Sequence, residues 1–210
     1  MKLLVIGANG ACGNRIVREA NARGHHTTPA GRSPAGPLGG QSGWVTLDAA
    51  DATAVAAAST GHDVIISATR PGPGREGEIL PVTEGLLGGA RTAGLRLVVV
   101  GGAGPLRVGD TNRTAIEVPH WVPAAYRRSA AASVHQLSTL EASSGVDWTY
   151  LAPPALFQPG ERTGTYRTGG ASLVVAPDGT SSISMEDFAI ALLDEVEHPT
   201  TSRSVLSVGH

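Results

Sequence analysis

The chain has 210 residues, a formal net charge of −2 and one cysteine. That is enough for one well-buried core; it gives no electrostatic ground for a nucleic-acid partner, and it excludes an intrachain disulfide. No apolar run reaches the ~20 residues that cross a bilayer, and the N-terminus enters a strand pattern without a signal-peptide pattern, so a cytoplasmic protein with no membrane partner is expected.

Leu3–Ile6 is an apolar run that stops at Gly7 and is followed by Gly10 and Gly13. A helical pattern then starts, with Ile16, Val17 and Ala20 on one face and Arg15, Arg18 and Glu19 around the other. A buried strand that runs through a glycine turn into a helix is the architecture that receives a dinucleotide pyrophosphate. Gly7 permits the turn, Gly10 lets backbone approach the phosphates, and Gly13 allows close helix–strand contact. Asn9, Ala11 and Cys12 complete the expected phosphate-side set. Cys12 has two readings: a small apolar filler, or a thiol of lowered pKa at the helix start.

Gly24 ends the helix, and His25–Gly31 reads as the second strand, although Pro29 removes a ladder donor and predicts a short or distorted strand. A fold selecting NAD(H) places Asp or Glu at the end of this strand. Here Gly31-Arg32-Ser33 stands there, and Asn21 to Trp44 contains no carboxylate. Arg32 can grip a 2′-phosphate and Ser33 can add a bond, so NADP(H) is expected over NAD(H); otherwise Arg32 is a solvated loop cation. Ser33–Gly43 reads as a Gly/Pro-rich loop.

Trp44–Leu47 predicts a third strand, Asp51–Ser59 a helix, His62–Ala68 a fourth strand and Glu78–Ala93 the next helix. Leu95–Val100 is a fifth strand ending in Gly101-Gly102-Ala103-Gly104. Ala124–Ser144 is helical, and Val146–Leu151 is a sixth strand stopped by Pro153 and Pro154. This alternation predicts an α/β fold of Rossmann type, a doubly wound parallel sheet whose ligand lies beyond the carboxyl ends of the strands. The whole chain reads as one domain, with 153–185 as a small substrate-side lobe.

The strand ends then acquire expected roles. Asp48 either accepts from an adenine amino group, with Ala49 packing on the ring, or caps the helix near Asp51. Ala68, Thr69, Arg70, Gly101, Gly102 and Ala103 line the nicotinamide half. Thr69 either bonds a ribose or phosphate oxygen or is a turn residue. Arg70 either holds an anion or is a free surface arginine.

The turn Gly7–Gly13, the Gly31-Arg-Ser33 tip and Gly101–Gly104 resemble atypical short-chain dehydrogenase/reductases. Gly145-Val-Asp-Trp-Thr-Tyr-Leu-Ala-Pro-Pro154, Phe157–Arg167 and Ile183-Ser-Met-Glu-Asp-Phe-Ala189 are similar to the NADH-flavin reductase branch of NAD(P)H-binding proteins, which is itself similar to biliverdin reductase B. The resemblance covers essentially the whole chain. It implies a small C-terminal lobe over the nicotinamide, with Pro153 and Pro154 on the cofactor side, and hydride transfer to a planar acceptor such as FMN or FAD.

Lys2 is the only lysine, so the Tyr-x-x-x-Lys pair that protonates carbonyl substrates is not encoded. Tyr126, just ahead of a helix, is the candidate catalytic residue, as proton donor or stacking group; a core or lid role is the other reading. His120 and Trp121 sit in a lid-like connection, His135 reads as a half-buried packing histidine, and Glu161-Arg162 as a local charge pair. The approach Pro153–Phe157 fits either an aromatic substrate or core packing. No His-x-x-x-His and a single cysteine argue against a metal site, and the lack of Gly-x-Ser-x-Gly argues against a hydrolase. Two other functions stay open: an NADP-sensing binding protein of the NmrA-like kind, and a reductase or isomerase of secondary metabolites. The sequence leaves monomer and homodimer undecided.

Overall fold

The first strand, β1 (Lys2–Ile6), is buried from Leu3 onward and leads through the glycine turn into α1 (Ala11–Ala22). There follow β2 (His26–Gly31), β3 (Val45–Thr46), α2 (Ala52–Ala58), β4 (Val64–Ser67), α3 (Ile79–Ala93), β5 (Arg96–Val100), α4 (Arg127–Ala142) and β6 (Trp148–Ala152). Beyond them lie β7 (Leu156–Gln158), β8 (Arg167–Gly170), β9 (Ser182–Ser184), α5 (Met185–Glu197) and β10 (Ser204–Gly209). This computed structural model describes residues 1–33, 36 and 43–210, so most of the expected Ser33–Gly43 loop lies outside the described residues.

The main sheet has the order β3-β2-β1-β4-β5-β6-β10-β8, and its pairings are parallel except that of β8 with β10. Alternation along each strand sends side chains to two cores. Leu4 and Ile6, with Ile65, Leu97, Val99, Trp148 and Tyr150, face the layer of α2, α3 and α4. Leu3, Val5, Val64, Ile66, Val98 and Leu151 face Ile16 and Val17 of α1 and Phe188 and Leu192 of α5. Near-continuous apolar strands therefore follow from burial on both faces. The fold is the expected Rossmann-type α/β sheet.

Pro29 finds its explanation in the register. His26 donates to Met1 and Ala30 accepts from Gly7, while Gly31 accepts from Leu47, so odd-numbered residues of β2 point away from β1. On that side β3 pairs only with Ala30 and Gly31. The missing proline donor thus faces a stretch where the neighbouring strand has not yet begun.

Several boundaries differ from the sequence expectation. The third strand shrinks from Trp44–Leu47 to Val45–Thr46. The fourth helix is preceded by a 3₁₀ turn over Ala124–Tyr126. The sixth strand runs Trp148–Ala152, one residue nearer Pro153 than expected. In α3 the close approach of α2 requires glycine: a Cβ on Gly89 would lie 2.4 Å from Val55 Cγ1.

In segment 153–185, β7 and β9 form a separate parallel pair, while β8 joins the main sheet edge. Among the described residues no helix is long and apolar enough to cross a membrane.

Candidate functional site

Because β1, β2, β4, β5 and β6 are parallel, the segments that follow them meet at one edge. The order of the sheet reverses direction between β1 and β4, which makes this the switch point where such sheets take ligands. Gly7 N and Ala8 N both donate to Ala30 O, at 2.8 and 3.2 Å, and Ala68 N donates to Ile6 O at 2.8 Å. Gly7 has φ +87°, and a Cβ there would lie 2.6 Å from Ala68 O. The turn can therefore be made, and packed on the end of β4, only without a side chain.

Gly10 is extended, with φ −67° and ψ 160°, and precedes α1 without a capping side chain. Asn14 N donates to Gly10 O at 2.9 Å as the helix starts. The amides of Ala11, Cys12 and Gly13 come before that first intrahelical bond and face outward along the axis. Together with the dipole of α1 they suit an anion. A Cβ on Gly13 would lie 2.2 Å from Gly7 O, so this glycine seats the helix against the turn. The residues present thus fit a dinucleotide pyrophosphate.

Asn9 Nδ2 donates to Ser33 O at 3.0 Å, which ties the glycine turn to the tip of β2. Arg32 is at that tip with its side chain 55% exposed, and its Nη1 lies 3.4 Å from Glu78 Oε2. Arg32 is thus a largely exposed arginine with one long ionic contact, to Glu78. Asp48 does not cap α2: its Oδ1 accepts from Ala50 N at 3.0 Å, whereas Asp51 accepts from Thr53 N and Ala54 N. Ala49 is buried in the core.

Cys12 packs against the α1–α5 core, and burial pushes its thiol up to about 12, only partly offset by the nearby Arg15 charge. Of the two readings of Cys12, the small apolar filler fits this packing and the lowered thiol pKa does not, because desolvation outweighs the nearby Arg15 charge.

The residues expected on the nicotinamide side are held by contacts that the sequence does not reveal. Thr69 Oγ1 is 2.9 Å from Ser67 Oγ. Arg70 is not free: its Nη2 donates to Ser129 Oγ at 2.9 Å. A Cβ on Gly101 would strike the Tyr150 ring at 2.2 Å. The Tyr150 hydroxyl accepts from Gly102 N at 2.9 Å and donates to Ser133 O at 3.1 Å. Burial raises the pKa of this phenol. Tyr150 therefore fixes Gly101 and Gly102 against α4.

Tyr126 is 63% exposed, which removes the core role. It lies one turn ahead of Ser129 and Ala130, which touch Arg70 and Gly104. Trp121 is half-buried against the core and meets His120 edge-on, with ring centroids 4.5 Å apart. His135, expected as half-buried, is exposed in a groove between α3 and α4, away from the strand ends.

Pro153 and Pro154 are buried directly after β6. The Phe157 and Phe188 rings meet at a tilt of 53° with centroids 4.8 Å apart, which gives Phe157 a packing role. Arg162 does not pair with Glu161; its Nε and Nη2 bind Glu19 of α1 at 3.0 and 2.9 Å. Arg15 Nε meets Glu186 Oε1 at 2.5 Å, and Glu186 also accepts from Gly160 N at 2.8 Å. Buried Asp187 accepts from Thr163 Oγ1 at 2.6 Å and Gly164 N at 2.8 Å. These carboxylates clamp the 159–164 loop onto α1 and α5, beside the phosphate side of the site. Sequence reasoning missed Glu19, Glu186 and Asp187, although two of them lie in the Ile183–Ala189 motif. Among the described residues no group of three or more His, Cys, Asp or Glu could hold a metal ion.

Residues 7–199 match the NAD(P)H-binding family. The chain is 35% identical over 201 residues to YwnB of Bacillus subtilis (strain 168), covering 95% of this chain and 93% of that protein. It resembles the solved "putative exported protein" of Burkholderia pseudomallei at 37% identity and TM-score 0.89, with 100% of both chains covered. A "putative NADH-flavin reductase" from Streptococcus pneumoniae TIGR4 is 30% identical at TM-score 0.85, covering 100% of this chain and 99% of that one.

Proposed function

Since the chain belongs to the NAD(P)H-binding family, we propose that it is an NADPH-dependent oxidoreductase that passes hydride to a flavin or another planar, conjugated acceptor. The observation that carries the cofactor choice is Arg32 at the tip of β2, joined to the glycine turn through Asn9 and Ser33. A guanidinium placed there suits a 2′-phosphate, and the Asn21–Trp44 segment offers no carboxylate for a ribose diol.

In this reading the amides of Ala11, Cys12 and Gly13 hold the pyrophosphate, and Gly101–Ala103 form a flat, side-chain-poor floor for the nicotinamide. Thr69 and Arg70 border that floor, and Pro153 and Pro154 close it from the β6 side. Asp48 lies at the adenine end. When bound, the reduced cofactor supplies a hydride to the acceptor and becomes oxidised. A flavin reduced this way takes its balancing proton from water, so a Tyr-x-x-x-Lys pair is not required. Positioning of two flat rings then provides most of the acceleration. The likeness to a protein named as an NADH-flavin reductase supports the acceptor class. The protein works in the cytoplasm on a small molecule, with neither nucleic acid nor membrane as partner.

Loss of NADPH absorbance on adding FMN, FAD or a quinone is the direct assay; absence of turnover with all of them would overturn the enzymatic reading. Arg32→Ala is expected to weaken NADPH binding by about 10- to 100-fold, the worth of a charged hydrogen bond, and to leave NADH binding nearly unchanged. Unaltered NADPH affinity in calorimetry would refute the cofactor choice. Tyr126→Phe is expected to keep flavin reduction within about two-fold of the parent rate, whereas a loss near 100-fold would make Tyr126 the acid.

A further inference from the structure

We propose that Glu78 sets how strongly the site prefers a 2′-phosphorylated cofactor, by competing with that phosphate for Arg32. The inference rests on the cofactor reading above and deepens it. Glu78 closes the 3₁₀ turn Glu76–Glu78 in the connection between β4 and α3. Its carboxylate lies between two guanidiniums from different loops, with Arg32 Nη1 at 3.4 Å from Oε2 and Arg75 Nη2 at 2.5 Å from Oε1. Glu78 N donates to Arg75 O at 2.9 Å, so the turn brings the two residues together. The Arg32, Arg75 and Glu78 side chains are 55, 56 and 34% exposed, which leaves the cluster open to a ligand from solvent.

The charge arithmetic gives the cluster its discrimination. Two arginines and one glutamate leave a net charge of +1. A phosphomonoester entering beside Arg32 gains from both guanidiniums and is repelled by the carboxylate. A ribose hydroxyl carries no charge, is not repelled, and can itself donate to the carboxylate. Glu78 therefore penalises the phosphorylated cofactor and spares the other, which moderates a preference that Arg32 alone would make steep. The long 3.4 Å contact fits a bridge that a phosphate can displace.

Glu78→Gln keeps the side-chain length and removes only the charge. Calorimetry with NADPH and NADH, and with 2′,5′-ADP and 5′-AMP as adenosine-side probes, reads the effect without any turnover. We expect NADPH and 2′,5′-ADP to bind about five-fold more tightly, with NADH and 5′-AMP unchanged or weaker. An unchanged ratio, or a ratio that falls because Glu78 chiefly orients Arg32, would overturn the inference. If Arg32→Ala still weakens NADPH in that event, the cofactor reading stands alone; if Arg32→Ala has no effect, both fall together.

Discussion

A Gly10→Val variant is expected to fold and to lose NADPH and NADH alike, each by roughly 100-fold or more, because the side chain occupies the space where backbone approaches the pyrophosphate. Gly10 has an extended backbone that valine readily adopts, and a Cβ there would meet only Gly7 O, at 3.2 Å. That contact is tight enough to cost about 1 kcal/mol, which leaves the domain folded. The neighbouring Gly13 offers no such separation, since its Cβ would lie 2.2 Å from Gly7 O and would push α1 off the turn. Calorimetric titration paired with thermal unfolding therefore reads the phosphate site at position 10 without confusing it with the fold. Retained binding of either nucleotide would place the pyrophosphate elsewhere and remove the foundation of the proposed reaction.

The largest stability loss is expected at Glu195. Its side chain is 2% exposed and sits 2.5 Å from the guanidinium of Arg96. It also accepts from Thr200 N and Oγ1 at 3.0 and 2.6 Å, and from Thr201 N and Oγ1 at 3.1 and 2.8 Å. This cluster joins β5 to the end of α5 and the turn that leads into β10. Glu195→Ala leaves Arg96 buried with the distant Asp147 carboxylate at 3.5 Å as its remaining ionic partner. Breaking one side of a buried pair costs about 3–5 kcal/mol, a large part of the stability of a domain this size. Urea unfolding checks it; a change under 1 kcal/mol would show that the cluster is dispensable.

The same carboxylate makes the fold sensitive to acid. Burial pushes the Glu195 carboxyl up, but the bonds from Thr200, Thr201 and Arg96 together outweigh it and hold the group below the usual range. Asp187 behaves alike: burial raises it, and Thr163, Gly164 and His210 bring it lower overall. A depressed folded-state pKa gives stability that is fully present above the unfolded value and is lost as pH falls through the folded one. Stability of the parent chain is thus expected to decline below about pH 4, where unfolded carboxylates begin to protonate. The decline is shallower in Glu195→Ala, which has already lost one of the contributing groups.

How far each feature could be read in the chain depended on the distance over which it is encoded. Gly7, Gly10 and Gly13 occupy consecutive turns of backbone, so their spacing exposed the strand–turn–helix unit directly. The apolar runs of β1, β4, β5 and β6 announced central strands for the same reason, since a strand covered on both faces has no polar alternation to hide it. By contrast β8 (Arg167–Gly170), a polar and glycine-containing edge strand, carries no period that distinguishes it from a loop. Short β7 and β9, and β10 beyond them, were unassigned as well. Tyr150 could be dismissed as one half of a Tyr-x-x-x-Lys pair, yet nothing near it in sequence shows that it holds Gly102, 48 residues away.

What the sequence determined by itself was the fold class, the edge of the sheet at which the glycine turn and the other strand ends gather, and the arginine at the tip of β2. Each follows from residues adjacent along the chain, where backbone sterics and side-chain period act locally. Only the tertiary structure decided the partners: Arg162 crosses 143 residues to Glu19 instead of pairing with its neighbour, and Arg32 meets Glu78 from another loop. It also decided the state of Cys12, whose thiol is governed by what packs over it. Ion pairs and burial are set by which helices cover which face of the sheet, and that arrangement exists only once the layers have closed.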